Sequence, residues 1–290
     1  MRWIVGLDLR PRSQGAIKTA RWLHEHRSEQ ARNRFYGVHV VPQVPRVSVR
    51  DDEMDELCER ARASAQATVD RAGAAAAFDR IEAVPGVPVQ ALGAASSFYD
   101  VDGLIIGRHG PRDGGTVVRL GTVARQLLRQ LPAATMVVPP DHDPEAHPQG
   151  PVLVATDLAP DAAAAGRFGL RLAQDLGVDL VLLHVPETGQ LAAQLGAAPH
   201  SPIIHDPEAF ENWVETYGLG GARTETSPGD PVEQTLKLAQ AHDASVIVCG
   251  SRRLSLSDRV FQASTGSTLA AYAKRPVVVV PPESMVRVPG

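Results

Sequence analysis

The residues best suited to chemistry stand in one run, Gly107-Arg108-His109-Gly110-Pro111-Arg112-Asp113-Gly114-Gly115-Thr116-Val117-Val118-Arg119-Leu120-Gly121-Thr122-Val123. The run leaves an apolar stretch, Leu104-Ile105-Ile106, and enters one with helical spacing, Val123, Leu127, Leu128 and Leu131. Glycines permit positive φ and let a backbone approach a ligand with no Cβ in the way. A helix start offers unpaired N–H groups and about half a positive charge, which favours an anion. Thr122, at or near the N-cap, adds a hydroxyl, while Arg108, Arg112, Arg119 and Arg125 raise the local positive potential. Together these are the parts of a phosphate cradle. His109, set among the glycines, is a further candidate contact.

Such a loop needs strands and helices to hold it, and the chain supplies them twice, about 145 residues apart. Trp3-Ile4-Val5-Gly6-Leu7-Asp8 returns as Val152-Leu153-Val154-Ala155-Thr156-Asp157, and Gly37-Val38-His39-Val40 as Leu182-Leu183-His184-Val185. Leu104 to Gly107 returns as Val246 to Gly250, Gly121-Thr122 as Gly266-Ser267, and Met136 to Pro140 as Val278 to Pro282. Five landmarks in one order imply two copies of a whole domain, at 1–140 and 151–283, with a Pro- and charge-rich linker at 141–150. In each copy short β-rich runs alternate with amphipathic ones. Strands are expected at Ile4 to Leu7, 35–41, 80–84, 103–106 and 135–138, with helices at 13–27, around 54–65, at 89–97 and from Val123 to the stop at Pro132. Copy 2 should carry a helix at 161–176 capped by Gly177, then a strand at 178–185. Residues 187–217, rich in Gly, Pro and His, read as its least regular part. Strand–helix alternation with unbroken Val/Ile/Leu strands means α/β architecture, a parallel sheet covered on both faces.

The loop, its strand–helix setting and the duplication together resemble the universal stress protein family. That resemblance covers essentially the whole chain, twice, and implies tandem five-stranded, parallel-sheet, Rossmann-like folds that bind adenine nucleotide. The family signature is Gly-x2-Gly-x9-Gly-Ser/Thr. Gly107 and Gly110 fit its first spacing, whereas ten residues, not nine, separate Gly110 from Gly121. The resemblance places Ile106, Gly107, His109, Gly110, Gly121, Thr122 and Val123 against ribose and phosphates, and Asp8 and Val40 against adenine. In copy 2, Asp157 and Val185 keep the adenine positions and Gly250, Gly266 and Ser267 the ends of the loop. There Arg253 replaces the second glycine and twelve residues precede Gly266, so copy 2 carries a degenerate loop and is expected to bind weakly or not at all. The implied ligand is ATP, with or without Mg2+. The last strands of the two copies should pair as an intramolecular pseudo-dimer; a homodimer of the whole chain and the identity of protein partners stay open.

Bland readings compete with each of these. Asp8 and Asp157 would serve equally to cap a helix or bond loop amides. His39 and His184, inside apolar strands, read as core histidines with hydrogen-bonded rings, and no histidine spacing matches a zinc pattern. Cys58 and Cys249 read as inert core residues, and so few cysteines fit a reducing, cytoplasmic compartment. A net charge of −4 gives no broad attraction to nucleic acid or anionic lipid, and the longest apolar runs are too short to span a bilayer. The apolar run near Trp3 is interrupted by Asp8 and lacks a cleavage site, so it does not read as a signal peptide. Three functions remain: a stress-response sensor or regulator acting through bound nucleotide, a scaffold of the same fold without nucleotide, and a nucleotidyl transferase or ATP pyrophosphatase. The last would need paired carboxylates or a nucleophile–base pair beside the loop, where Asp113 is the only acid. An enzyme is therefore not expected, beyond slow ATP hydrolysis.

Overall fold

Strands that are apolar on both sides need cover on both faces, and each copy supplies helices in alternation to provide it. The computed structural model describes residues 1–9, 14–42, 51–108, 120–146, 149–186, 207–251 and 264–282. Copy 1 runs β1 (Arg2–Gly6), α1 (Gln14–Glu25), β2 (Arg34–Pro42), α2 (Asp51–Arg71), β3 (Phe78–Gly86), α3 (Pro88–Phe98), β4 (Gly103–Gly107), α4 (Thr122–Gln130) and β5 (Ala134–Val138). Copy 2 runs β6 (Val152–Thr156), α5 (Ala163–Leu176), β7 (Leu180–His184), α6 (Pro207–Thr216), β8 (Arg223–Thr226), α7 (Pro231–Ala241), β9 (Val246–Gly250), α8 (Thr265–Tyr272) and β10 (Val277–Val280).

All ten strands form one sheet in the order β3-β2-β1-β4-β5-β10-β9-β6-β7-β8. Pairing is parallel within each copy and antiparallel only where β5 meets β10, with Val277 opposite Val137, Val278 opposite Met136 and Val279 opposite Thr135. The expected pseudo-dimer is thus a continuous sheet. Successive strand residues face opposite layers. Trp3 and Val5 join a core under α1, α2, α5 and α6, whereas Ile4 and Leu104 join one under α3, α4, α7 and α8. Across the copies, Trp3 meets Phe168 edge-on with ring centres 5.9 Å apart, and Arg171 pairs with Asp102 at 2.8 Å.

Element boundaries follow local signals. Gly177 takes φ +66° as the C-cap of α5, a conformation that costs an L side chain about 1 kcal/mol. Helix α4 stops at Leu131, left-handed at φ +43°, immediately before Pro132. One expectation is corrected in part: of the stretch 187–217, residues 187–206 lie outside the described residues, and Pro207–Thr216 form a full helix, α6. Its Phe210 and Trp213, three residues apart, are buried in the core, and Trp213 Nε1 donates to the Ala159 carbonyl at 3.3 Å. Helical spacing of two aromatics outweighs the surrounding composition. Among the described residues, no helix is long and apolar enough to cross a membrane.

Candidate functional site

In copy 1 the chain builds β2 and β3 on one side of β1, then β4 and β5 on the other. Such a reversal leaves a crevice at the carboxyl ends of the flanking strands, because successive crossovers leave on opposite faces. The register Gly6 to Val38 sets Asp8 level with Val40, and Val5 to Ile105 sets Leu7 level with Gly107. Residues more than thirty and nearly a hundred positions apart in sequence therefore share one rim. The Leu7 amide donates to the Val38 carbonyl at 2.9 Å, which extends the ladder up to Asp8. His39 then donates from Nδ1 to the Leu7 carbonyl at 2.8 Å. A carbonyl can only accept, so the proton resides on Nδ1. The ring thereby joins the strand end before Val40 to the one before Asp8. Copy 2 repeats the device, His184 Nδ1 to the Thr156 carbonyl at 3.1 Å, beside Val185 and Asp157. Both histidines are half-buried and hydrogen-bonded, as a core role required, but they brace the rim itself.

Helix α4 begins against this rim. Its N-cap is Gly121, with φ −60° and ψ 161° and no side-chain cap. Thr122 is the first helical residue and exposed, so it stands next to the cap, as expected, and its hydroxyl is not the cap itself. Gly121 also has a φ open to any residue, so its value lies in the missing side chain. The first turn of α4 keeps N–H groups that no capping side chain among the described residues satisfies. Val123 packs half-buried against the core, and Ile106 is itself a core side chain, leaving the main chain of Ile106 and Gly107 toward the loop. His109 and Gly110, with Arg112, Asp113 and Arg119, lie outside the described residues.

Arg108 does not do what the sequence suggested. It is only 7% exposed, and its Nη1 donates to the carbonyls of Ala270 and Ala273 at 3.1 Å each, and to that of Ala271. Those carbonyls end α8 of copy 2, where the helix dipole is negative. Burial pulls the guanidinium pKa below its ordinary value, with Asp141 opposing that shift. Its charge is thus spent on the far copy rather than on an anion at the loop. Arg125, by contrast, is exposed on α4.

Copy 2 presents a different face. Asp157 accepts the Ala159 amide at 3.0 Å, and the Thr156 hydroxyl accepts the Leu158 amide at 3.1 Å, a local turn with Leu158 at φ +60°. Helix α8 starts earlier relative to its glycine than α4 does. Its N-cap Ser264 accepts the Ser267 amide at 3.2 Å and contacts the Ser267 hydroxyl at 2.9 Å. Gly266 is inside the helix and buried; a Cβ there would stand 3.1–3.3 Å from Val279 and Cys249, so its smallness serves packing. Gly266 and Ser267 therefore do not stand where Gly121 and Thr122 stand. Gly250 ends β9 with only ordinary contact distance to Ala162, and Val185 is buried just past β7. Arg253 lies outside the described residues. Ser264 was legible in principle, since a serine three residues before Ser267 at a helix start is a capping pattern.

A separate cavity of about 590 Å³ opens at the sheet's outer edge between α2 and β3, lined by Arg62, Gln66, Arg80 and Glu82. Arg80 and Glu82 already pair at 2.6 Å, so the charges there satisfy each other.

The sequence model of the universal stress protein family matches residues 1–139 and again 150–281. Two curated relatives, universal stress proteins MT2698 and Rv2623 of Mycobacterium tuberculosis, are each 26% identical over 175 residues, 55% of this chain and 55% of theirs. The chain thus aligns with little over half the length of these relatives. Among solved structures, a universal stress protein of Archaeoglobus fulgidus superposes with a TM-score of 0.68 at 20% identity, covering 97% of this chain and 98% of that one. Protein PA1789 of Pseudomonas aeruginosa superposes with a TM-score of 0.61 at 17% identity, covering 98% and 94%.

Proposed function

The chain belongs to the universal stress protein family in both of its halves, and from that premise we propose that copy 1 binds an adenine nucleotide and that the protein acts as a stress-response sensor or regulator. The observation that carries this reading is the contrast between two equivalent helix starts. At α4 the N-cap is a glycine, and among the described residues the first amides have no side-chain acceptor, at a rim shared by Asp8, Val40 and Gly107. At α8 Ser264 already accepts from Ser267. An anion completes the first arrangement and competes with a side chain in the second. Asp8 and the main chain at Val40 would take the base, while Gly107, Gly121, Thr122 and Val123 would take ribose and phosphates. ATP is the expected ligand, with Mg2+ as its counter-ion in solution. This assignment involves binding and no bond-breaking step, so the output is a change of shape or of partners.

Addition of ATP to nucleotide-stripped protein should raise stability by about 2–3 kcal/mol at a hundredfold excess over the dissociation constant, read by thermal shift. Gly121→Leu should remove that gain. Absence of any shift with ATP, ADP and AMP overturns the proposal. Steady-state turnover above about 1 per second would instead favour an enzyme.

A further inference from the structure

We propose that Arg108 is a positioning residue that couples the loop of copy 1 to helix α8 of copy 2, so that filling the first site is felt at the second. Only the identity of the ligand rests on the nucleotide reading above; the tie itself does not.

Arg108 directly follows Gly107, and its amide donates to the Val138 carbonyl at 2.7 Å, so its backbone is held by the sheet. Its side chain then crosses between copies to three carbonyls in and just past the last turn of α8. A buried guanidinium released from such acceptors would lose its hydrogen-bond partners while staying charged, so the contact resists breaking. Nε of the same group is buried with no partner, and among the described hydrogen bonds of its side chain all are made by Nη1. Any displacement of Gly107 must therefore either move the end of α8 or strain those bonds.

Helix α8 is eight residues long, about 12 Å at the usual rise per residue. Its other end holds the Ser264–Ser267 cap, the feature that closes copy 2's helix start. Both candidate sites are thus joined by one short rod and one arginine. The equivalent residue of copy 2 is Ser251, whose amide donates to Val280 in the same way at 2.9 Å. A serine side chain has no reach across the boundary, so at this position only copy 1 sends a tie. The coupling is built asymmetrically, from the copy whose helix N-cap is Gly121 toward the copy whose N-cap is Ser264.

Hydrogen–deuterium exchange on the full chain tests this, comparing wild type, Arg108→Met and Arg108→Lys. Without ligand, Arg108→Met should speed exchange at least about tenfold both in the last turn of α8 and beside copy 1's loop, at 104–108 and 120–124, with α5 and β6 unchanged. Arg108→Lys, which keeps one charged donor, should show a smaller change and serves if the methionine variant does not fold. With saturating ATP, wild type should gain protection in α8 that Arg108→Met lacks while its copy 1 segments remain protected. Acceleration confined to α8, no acceleration, or ATP-linked α8 protection that persists in Arg108→Met overturns the coupling. So does wild type in which ATP protects copy 1 but leaves α8 unchanged. If ATP protects no segment of wild type, the nucleotide reading falls, and the ligand-free comparison still decides the tie.

Discussion

Asp8 and His39 stand together at the end of β1, one as a candidate contact and the other as a brace on the Leu7 carbonyl. Replacement of His39 by Leu leaves the Leu7 carbonyl without its side-chain donor and should cost about 1–2 kcal/mol in urea unfolding. ATP affinity should fall as well, because the strand ends beside Asp8 and Val40 are no longer joined; affinity equal to wild type would assign the ring to folding alone. The cysteines give a prediction that needs no ligand. Burial pushes the Cys249 thiol up to about 12 from an ordinary 9.0. The unfolded thiol ionises first, so its contribution to stability is complete below about pH 9 and is lost as pH rises toward 12. At pH 8 iodoacetamide should label half-buried Cys58 while Cys249 reacts only after denaturation.

Helices α6 and α8 show how an element's role follows from what it packs against. Without α6 the copy 2 core would lose Phe210 and Trp213, so Trp213→Ala should destabilise by about 3–5 kcal/mol, measured by chemical denaturation. Helix α8 is held at its start by Ser264 and at its end by Arg108. Loss of the Ser264 cap in Ser264→Ala should cost about 1 kcal/mol, again by denaturation. The uncapped start of α4 has no equivalent to lose, because Gly121 supplies no side-chain acceptor.

Across the whole molecule, β5 and β10 are entirely buried and pair only with each other's copy on their outer sides. Separate copies would expose apolar edges, a ready template for association. One sheet, two cores that each run under helices of both copies, and the Arg108 tie make independent unfolding of the halves unfavourable. The full chain should therefore melt as a single calorimetric transition whose van't Hoff and calorimetric enthalpies agree. Two resolved transitions would show that the boundary between copies is weaker than this packing implies.

The pairing of the terminal strands and the placing of Asp8, Val40 and Gly107 at one site followed from the family resemblance, whereas the duplication and the parallel α/β layout were readable from residue order. The latter two depend on short-range periodicity or on an element's place in the series, and both are written locally along the chain. Helix α6 was hidden because two aromatics had to outweigh a run of helix-breaking neighbours. The destination of Arg108, the cap at Ser264 and the packing duty of Gly266 emerged from folding alone. An arginine beside glycines could equally serve a phosphate or a distant carbonyl. Its choice was made by acceptors 162 to 165 residues away, which no local pattern encodes and which burial made the stronger claim.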